Sequence, residues 1–248
     1  MSEARDPVRM NRRDFVRGAA AAVAALSLSR LAASAAAELD TATSRPRYGI
    51  LIDANRCARG CRACVEACDT EHGLHGHAAP LIDAQWIRKV ELRHKSTDRR
   101  VSMPVMCQHC EHPPCVDVCP TGASFKRFDG LVLVDKHLCI GCRYCMMACP
   151  YKARSFIHEV LTDQLPEAPR GKGTVESCTL CVHRIDENAE VPRDPACAEA
   201  CTSAGHKAIV FGDLHDPTST VAQQLRKEPS RALRQDLELN PGVRYQGI

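Results

Sequence analysis

The residues with the clearest chemical potential are sixteen cysteines in a chain of 248 residues. They fall into four groups of four, in which most neighbouring cysteines are separated by two to four residues. Thiols spaced so closely direct several sulfur atoms toward one point, which suits metal ligation better than pairwise cross-linking. The groups are Cys57, Cys61, Cys64 and Cys68; Cys107, Cys110, Cys115 and Cys119; Cys139, Cys142, Cys145 and Cys149; and Cys178, Cys181, Cys197 and Cys201.

Disulfide bonds, zinc sites and iron–sulfur clusters are the three interpretations of this pattern. Disulfides are disfavoured because three of the groups are short runs, which leave no long loop to cross-link. Structural zinc sites usually join two C-x2-C turns across a longer spacer, a spacing that only the fourth group has. The third group, followed by Pro150, has the C-x2-C-x2-C-x3-C-P spacing of bacterial [4Fe–4S] ligands. Four such clusters would use all sixteen cysteines.

The remaining composition narrows the class of protein. Aromatic residues make up only 4% of the chain, so a bound metal would help to stabilise a small hydrophobic core. The 33 basic and 30 acidic residues give no basic excess for nucleic-acid binding. A membrane-spanning helix needs an uninterrupted run of about 18 or more uncharged apolar residues, and the sequence contains no such run. No C-x-x-C-H motif occurs, which excludes covalent c-type haem.

The first 37 residues have the pattern of an export signal. Arg12 and Arg13 precede a short alanine-rich stretch at 18–29, and A-x-A sites follow at 33–37. This arrangement resembles a twin-arginine signal peptide. We therefore expect export to the periplasm by that route, which carries folded proteins with their metal already bound. An amphipathic helix of the folded domain is the alternative.

Between the cysteine groups the sequence predicts short strands, hairpins and one helix. The most specific signal is Asp129-Gly130, a turn dipeptide between two short apolar runs. The predicted elements are a strand at 48–53, a hairpin from 86–92 and 100–105, a hairpin from 122–128 and 131–134, a strand at 207–211 and a helix at 217–227.

Three segments carry a family resemblance: Cys107–Cys115, Cys119–Ala123 and Cys139–Tyr151. They resemble the four-cluster iron–sulfur subunits of polysulfide, tetrathionate and dimethyl sulfoxide reductases and of formate dehydrogenase. The twin-arginine segment, together with 152–159 and 209–217, is most similar to the DsrO subunits of DsrMKJOP complexes in dissimilatory sulfur metabolism.

The resemblance implies that ligands are exchanged between cysteine groups, so that four [4Fe–4S] clusters are held by four mixed sets. Set 1 is Cys57, Cys61, Cys64 and Cys201; set 2 is Cys68, Cys178, Cys181 and Cys197; set 3 is Cys107, Cys110, Cys115 and Cys149; and set 4 is Cys119, Cys139, Cys142 and Cys145.

The resemblance also implies an α+β fold of two fused ferredoxin-like modules, each holding two clusters, with short strands, hairpins and Cys-rich loops. The outer module would be interrupted by the inner one. We expect a signal peptide at 1–37, a linker at 38–47, the outer module at 48–106 and 158–215, the inner module at 107–157, and a C-terminal tail at 216–248. The tail would dock along an integral membrane subunit or wrap this subunit's own surface.

By the same resemblance, the chain is an electron-transfer subunit with no catalysis of its own and no small-molecule substrate. It would relay electrons between a quinone-reactive membrane subunit similar to DsrP and a multihaem cytochrome c similar to DsrJ. The periplasmic protein would be held at the membrane by its partner subunits. One alternative is the iron–sulfur subunit of a periplasmic molybdopterin reductase. Another is a secreted interaction module structured by zinc.

Four features in and around the cysteine groups need interpretation. The first group opens with three residues between Cys57 and Cys61 rather than the usual two. We interpret His72, His75 and His77 as part of a solvated loop, with metal binding or contact with a haem partner as alternatives. His109 and His112 are interpreted as polar loop residues rather than ligands. Six cations flank the cysteines, where they would either offset the negative charge of the clusters or serve solubility: Lys126, Arg127, Arg143, Lys152, Arg154 and Lys207.

Overall fold

The computed structural model describes residues 45–74, 82–162, 164–166, 168–188 and 192–248. The expected signal peptide, most of the linker, and His75 and His77 lie outside these residues. Pro46–Ile248 is the unit described below. None of the helices in the described ranges combines the length and apolarity needed to span a bilayer.

Short strands and short helices alternate along the described chain. The strands are β1 (Tyr48–Asp53), β2 (Ile87–Arg93), β3 (Arg100–Met106), β4 (Ser124–Lys126), β5 (Val132–Val134), β6 (Arg154–Phe156), β7 (Val175–Ser177), β8 (Ile209–Asp213) and β9 (Val243–Gln246). The helices are α1 (Ala63–Glu71), α2 (Pro114–Asp117), α3 (Tyr144–Ala148), α4 (Val182–Glu187), α5 (Ala196–Ser203) and α6 (Thr220–Lys227), with a 3-10 turn at Gln235–Leu237.

The central sheet has the order β8-β1-β9. Strand β1 pairs antiparallel with β8, where Ile50 opposes Phe211, and parallel with β9, where Ile50 opposes Val243. The side chains of Ile50, Ile52 and Val243 are fully buried. Strands from both ends of the folded unit therefore build one core.

Three separate hairpins position the cysteine loops: β2–β3, β4–β5 and β6–β7, all antiparallel. The β4–β5 hairpin closes through Asp129-Gly130, as the sequence predicts, and Gly130 adopts a positive φ of 87° that suits glycine. The mixed content of helices and strands agrees with the expected α+β class.

The segment at 216–248 is part of the folded unit. Strand β9 completes the central sheet, and the Tyr245 side chain is fully buried. The apolar residues that suggested docking on a membrane subunit are thus largely used inside this domain: Leu233 and Leu239 pack against the core, and Leu237 is 38% exposed. Of the two expectations for this segment, the structure agrees with packing on the subunit's own surface.

The expected linker ends too late by at least one residue. Arg47 is buried, its backbone N–H donates to the Asp213 carboxylate at 2.8 Å, and its carbonyl accepts from the Leu214 N–H at 2.8 Å. Arg47 therefore belongs to the fold, beside the edge of β8.

Candidate metal centres

All sixteen cysteines lie in the described residues and have free thiols. Eleven are buried, four are partly buried, and Cys142 is exposed. In the part of the chain that the structure describes, no three Cys, His, Asp or Glu side chains are placed to hold a single metal ion.

The structure brings the members of set 1 together. The pKa of Cys64 is raised to about 11, chiefly by burial and in part by negative charge on Cys57, Cys201 and Cys61. Such charge effects act only between nearby groups in a low-dielectric interior. Helix α1 supplies Cys64 and helix α5 supplies Cys201, although 137 residues separate them in the chain.

Set 2 is buried throughout. Burial raises the pKa of Cys68 well above its ordinary value, and the neighbouring thiols of Cys178, Cys197 and Cys181 raise it further. Helices α1 and α5 contribute to this set as well, because Cys68 and Cys197 lie one turn from the set 1 cysteines of the same helices.

Set 3 is also buried, and it combines the first three cysteines of the second group with the last cysteine of the third group. Burial raises the pKa of Cys110 to about 12, with further contributions from Cys107, Cys115 and Cys149. These four thiols therefore share one neighbourhood.

Set 4 lies at the surface. Its four members, Cys119, Cys139, Cys142 and Cys145, all line one cavity. Gly141 in this loop has a positive φ of 70°, which brings the backbone against the carbonyl of Gly173.

The sets follow one another in a definite order. Set 1 adjoins set 2, as the effect of Cys64 on the pKa of Cys197 indicates. The effect of Cys107 on the pKa of Cys178 indicates that set 2 adjoins set 3. The effect of Cys145 on the pKa of Cys115 likewise indicates that set 4 adjoins set 3. The order is 1-2-3-4, and every partly buried or exposed cysteine belongs to set 1 or set 4.

Backbone N–H groups donate to several cysteine sulfurs. Hydrogen bonds of this kind favour the thiolate, the form that binds a metal, over the neutral thiol. The donors and acceptors are Ser124 N to Cys119 Sγ at 3.3 Å, Val175 N to Cys139 Sγ at 3.4 Å, Leu180 N to Cys178 Sγ at 3.4 Å, and Ala208 N to Cys201 Sγ at 3.2 Å.

Buried polar atoms without partners lie beside the same sets. Val132 N–H donates to His109 Nδ1 at 3.0 Å, so His109 Nε2 carries the proton, yet it has no acceptor among the described residues. The Arg154 Nη1 atom and the Thr179 hydroxyl are also buried without a hydrogen-bond partner among the described residues. Buried donors normally have a hydrogen-bond partner. The sulfide and thiolate sulfurs of a bound cluster would supply the acceptors for these unpaired donors. The donor set thus fits iron–sulfur clusters.

Two family models match, and both are described as a 4Fe–4S dicluster domain, one over residues 100–213 and the other over residues 56–123. The Hdr-like menaquinol oxidoreductase iron–sulfur subunit 1 of Archaeoglobus fulgidus is 40% identical, over 95% of this chain and 97% of that protein. This chain belongs to the 4Fe–4S dicluster family.

Two further members of the family are similar over most of the chain. A tetrathionate reductase subunit of Salmonella typhimurium is 34% identical, over 82% of this chain and 74% of that protein. A sulfite dehydrogenase subunit of Allochromatium vinosum is 38% identical, over 80% of this chain and 82% of that protein. With two dicluster domains and sixteen cysteines, this member of the family carries four [4Fe–4S] clusters and serves electron transfer within an oxidoreductase complex.

The enlarged first loop of this dicluster protein is held by a lysine that the sequence did not reveal. Lys89 Nζ donates to the carbonyls of Ala58 at 2.9 Å and Cys61 at 2.7 Å. Gly60 turns the chain with a positive φ of 76°. The extra residue is therefore accommodated in the loop, and Cys57 keeps its place near Cys201.

The solvated-loop interpretation is wrong for His72. Its ring packs on Trp86 with centroids 4.5 Å apart, it is only 2% exposed, and its Nε2 lies 3.3 Å from Cys181 Sγ. Burial lowers the pKa of His72 to about 4, so the ring is neutral at neutral pH. No local pattern indicates this burial, because the packing partners come from distant segments.

An ion-pair network fixes the helices that carry set 2. Arg184 in α4 donates to both oxygens of Glu71 in α1, and its Nη1 donates to Glu199 in α5 at 2.6 Å. Hydrogen bonds from Arg184 lower the pKa of Glu71 to about 2. The network joins three helices, each of which bears or borders a cysteine of set 2.

The six cations beside the cysteines have different roles. Lys126 pairs with Glu111 at 2.8 Å, and Arg127 pairs with Asp129 and Asp186. Of the six, Arg154 is the buried one, and it donates to a cysteine sulfur. The remaining three are exposed, and Arg143 lies over the Phe156 ring at 4.4 Å.

Proposed function

We propose that sets 1 to 4 each ligate one [4Fe–4S] cluster and that electrons pass along the order 1-2-3-4. The observation that carries this proposal is that the partly buried or exposed cysteines all belong to the two end sets, whereas the two middle sets are buried. A relay needs accessible ends for its partners and a protected interior between them. Each cluster takes or gives one electron, and the chain's own residues hold the sulfurs and exclude water.

The partners of the relay are proposed as a quinone-reactive membrane subunit similar to DsrP at one end and a multihaem cytochrome c similar to DsrJ at the other. The sequence similarity to the DsrO group supports this. So does the 40% identity to an iron–sulfur subunit whose name describes a menaquinol oxidoreductase.

The surface around set 4 supports a partner at that end. Ile140, Tyr144 and Met147 are 67%, 58% and 76% exposed beside the exposed Cys142. Apolar side chains grouped in this way are typical of a protein contact. A protein covering them would lie next to the set 4 cluster.

A second candidate is the iron–sulfur subunit of a molybdopterin reductase. The 34% identity to a tetrathionate reductase subunit favours it. The two candidates differ in the protein that accompanies the chain, so isolation of the intact complex separates them.

The deciding experiment is anaerobic purification of the complex from its native membrane. We expect about sixteen irons and sixteen acid-labile sulfides per chain, with a membrane subunit and a haem-staining subunit co-purifying. A large molybdenum-containing subunit in place of the cytochrome would support the second candidate. Eight or fewer irons in intact protein would contradict the four-cluster assignment.

Export by the twin-arginine route is a further part of the proposal, supported by Arg12 and Arg13 and the alanine-rich stretch after them. The double variant Arg12→Lys, Arg13→Lys should leave the precursor in the cytoplasm. Fractionation followed by immunoblotting measures this, with Arg5→Lys as the control. Normal accumulation of the double variant in the periplasm would refute the route.

A further inference from the structure

Arg154 is a buried arginine without a carboxylate partner. Its side chain is near the start of β6, it is 6% exposed, and no acidic residue pairs with it in the described parts of the chain. The other buried arginines of this region differ: Arg170 forms a two-bond pair with Glu176 at 2.8 and 3.0 Å, and Arg184 binds Glu71 and Glu199. A buried charge without a counter-ion is strongly unfavourable.

The partners of Arg154 are sulfur and hydroxyl atoms. Its Nη2 donates to Cys115 Sγ at 3.0 Å and to Ser124 Oγ at 2.8 Å. Ser124 in turn donates its backbone N–H to Cys119 Sγ at 3.3 Å. The guanidinium charge also acts on Cys145 of set 4. One cation thus faces set 3 through Cys115 and set 4 through Cys145 and Ser124.

The charged groups near Arg154 include a second cation, Lys136. His109, which lies near it, is buried and accepts the Val132 N–H at its Nδ1 at 3.0 Å. The Nη1 atom of Arg154 is buried without an acceptor among the described residues. The negative counter-charge must therefore come from the thiolate-ligated clusters on either side.

We propose that Arg154 is the shared counter-ion of the set 3 and set 4 clusters and raises the reduction potential of both. Each electron taken up adds one negative charge to a cluster, and a fixed cation at hydrogen-bond distance from its ligand stabilises that reduced form. The electron comes from the partner at one end of the relay, and Arg154 itself neither gains nor loses a proton or an electron. This inference rests on the proposed ligand sets.

The test is a redox titration of the purified native complex, followed by electron paramagnetic resonance. In Arg154→Gln, two of the four clusters should show a reduced-to-oxidised ratio about tenfold lower at fixed potential, which is a 59 mV fall in midpoint for a one-electron couple. The other two midpoints should not move. Lys152→Gln removes an exposed cation two residues away and is the charge-matched control, for which we expect no shift. Four unchanged midpoints in Arg154→Gln, or an equal fall in all four, would overturn the proposal.

Arg154→Lys separates charge from packing. It keeps the cation and loses the planar fork, so the two midpoints should lie closer to those of the unaltered complex than to those of Arg154→Gln. If Arg154→Gln binds fewer than sixteen irons, Arg154→Lys decides: full iron content with little shift supports the proposal, whereas iron loss or a tenfold shift overturns it. Fewer than sixteen irons in the unaltered complex would instead reject the proposed ligand sets themselves.

Discussion

Replacing Tyr245 should destabilise the protein strongly, although this residue is close to the end of the sequence. Its side chain is fully buried, and its hydroxyl bonds Gln108 at 3.1 Å and the Pro104 carbonyl at 3.3 Å. Truncating a large buried aromatic side chain to alanine costs about 3–5 kcal/mol. Removing only the hydroxyl costs about 1 kcal/mol, because Gln108 keeps its bond to the Met106 carbonyl.

The assay is thermal unfolding of the iron-loaded protein under anaerobic conditions, followed by loss of the visible absorbance of the clusters at one scan rate. With about 2–4 °C per kcal/mol for a domain of this size, Tyr245→Ala should lower the apparent unfolding temperature by roughly 10 °C and Tyr245→Phe by roughly 3 °C. Arg244→Ala, a matched control on the same strand whose side chain bonds Asn240 at the surface, should stay within about 2 °C. A Tyr245→Ala variant that unfolds within about 2 °C of the unaltered protein would refute the structural role of β9.

Two further predictions concern the loops and helices that hold the cysteines. Gly141→Ala places a Cβ against the Gly173 carbonyl, so iron and sulfide assays should find about twelve irons per chain. The control Gly171→Ala, whose Cβ meets only Thr174 at ordinary van der Waals distance, should keep about sixteen. Glu71→Gln should lower the unfolding temperature most at neutral pH. Because the folded pKa of Glu71 is about 2, its stabilisation is complete above pH 4.5 and is lost toward pH 2, so thermal scans should show the difference narrowing below pH 4.5. The control Glu187→Gln removes an exposed pair with Arg193 and should change the unfolding temperature little at neutral pH.

The chemistry of the site was predictable from the sequence because ligand spacing is a local property. The runs at 107–119 and 139–149 specify sulfur positions within a few residues of chain, and Asp129-Gly130 specifies the turn beside them. Strand β1 was also predictable at 48–53 from local sequence, because five consecutive residues there are apolar or small and are buried in the structure.

The parts that could not be predicted depend on contacts between distant segments. Val243–Gln246 alternates apolar and polar residues like any short edge strand, and nothing local indicates a parallel partner at 50–53. His72 follows a helix and precedes glycine, a context typical of solvent exposure, yet Trp86 and Cys181 enclose it. The sequence likewise placed Arg154 among six equivalent cations, and only burial distinguishes it.

The ranges of residues that supply each set have a consequence for biosynthesis. Sets 3 and 4 draw all their sulfurs from residues 107–149, whereas sets 1 and 2 need Cys201 and Cys197, and β1 gains its second neighbour only from residues 243–246. A chain emerging from the ribosome therefore exposes all the ligands of its inner pair of sites before those of its outer pair, and the third strand of the central sheet emerges later still. If the proposed ligand sets hold, we expect the inner pair of sites to be the first that can receive iron.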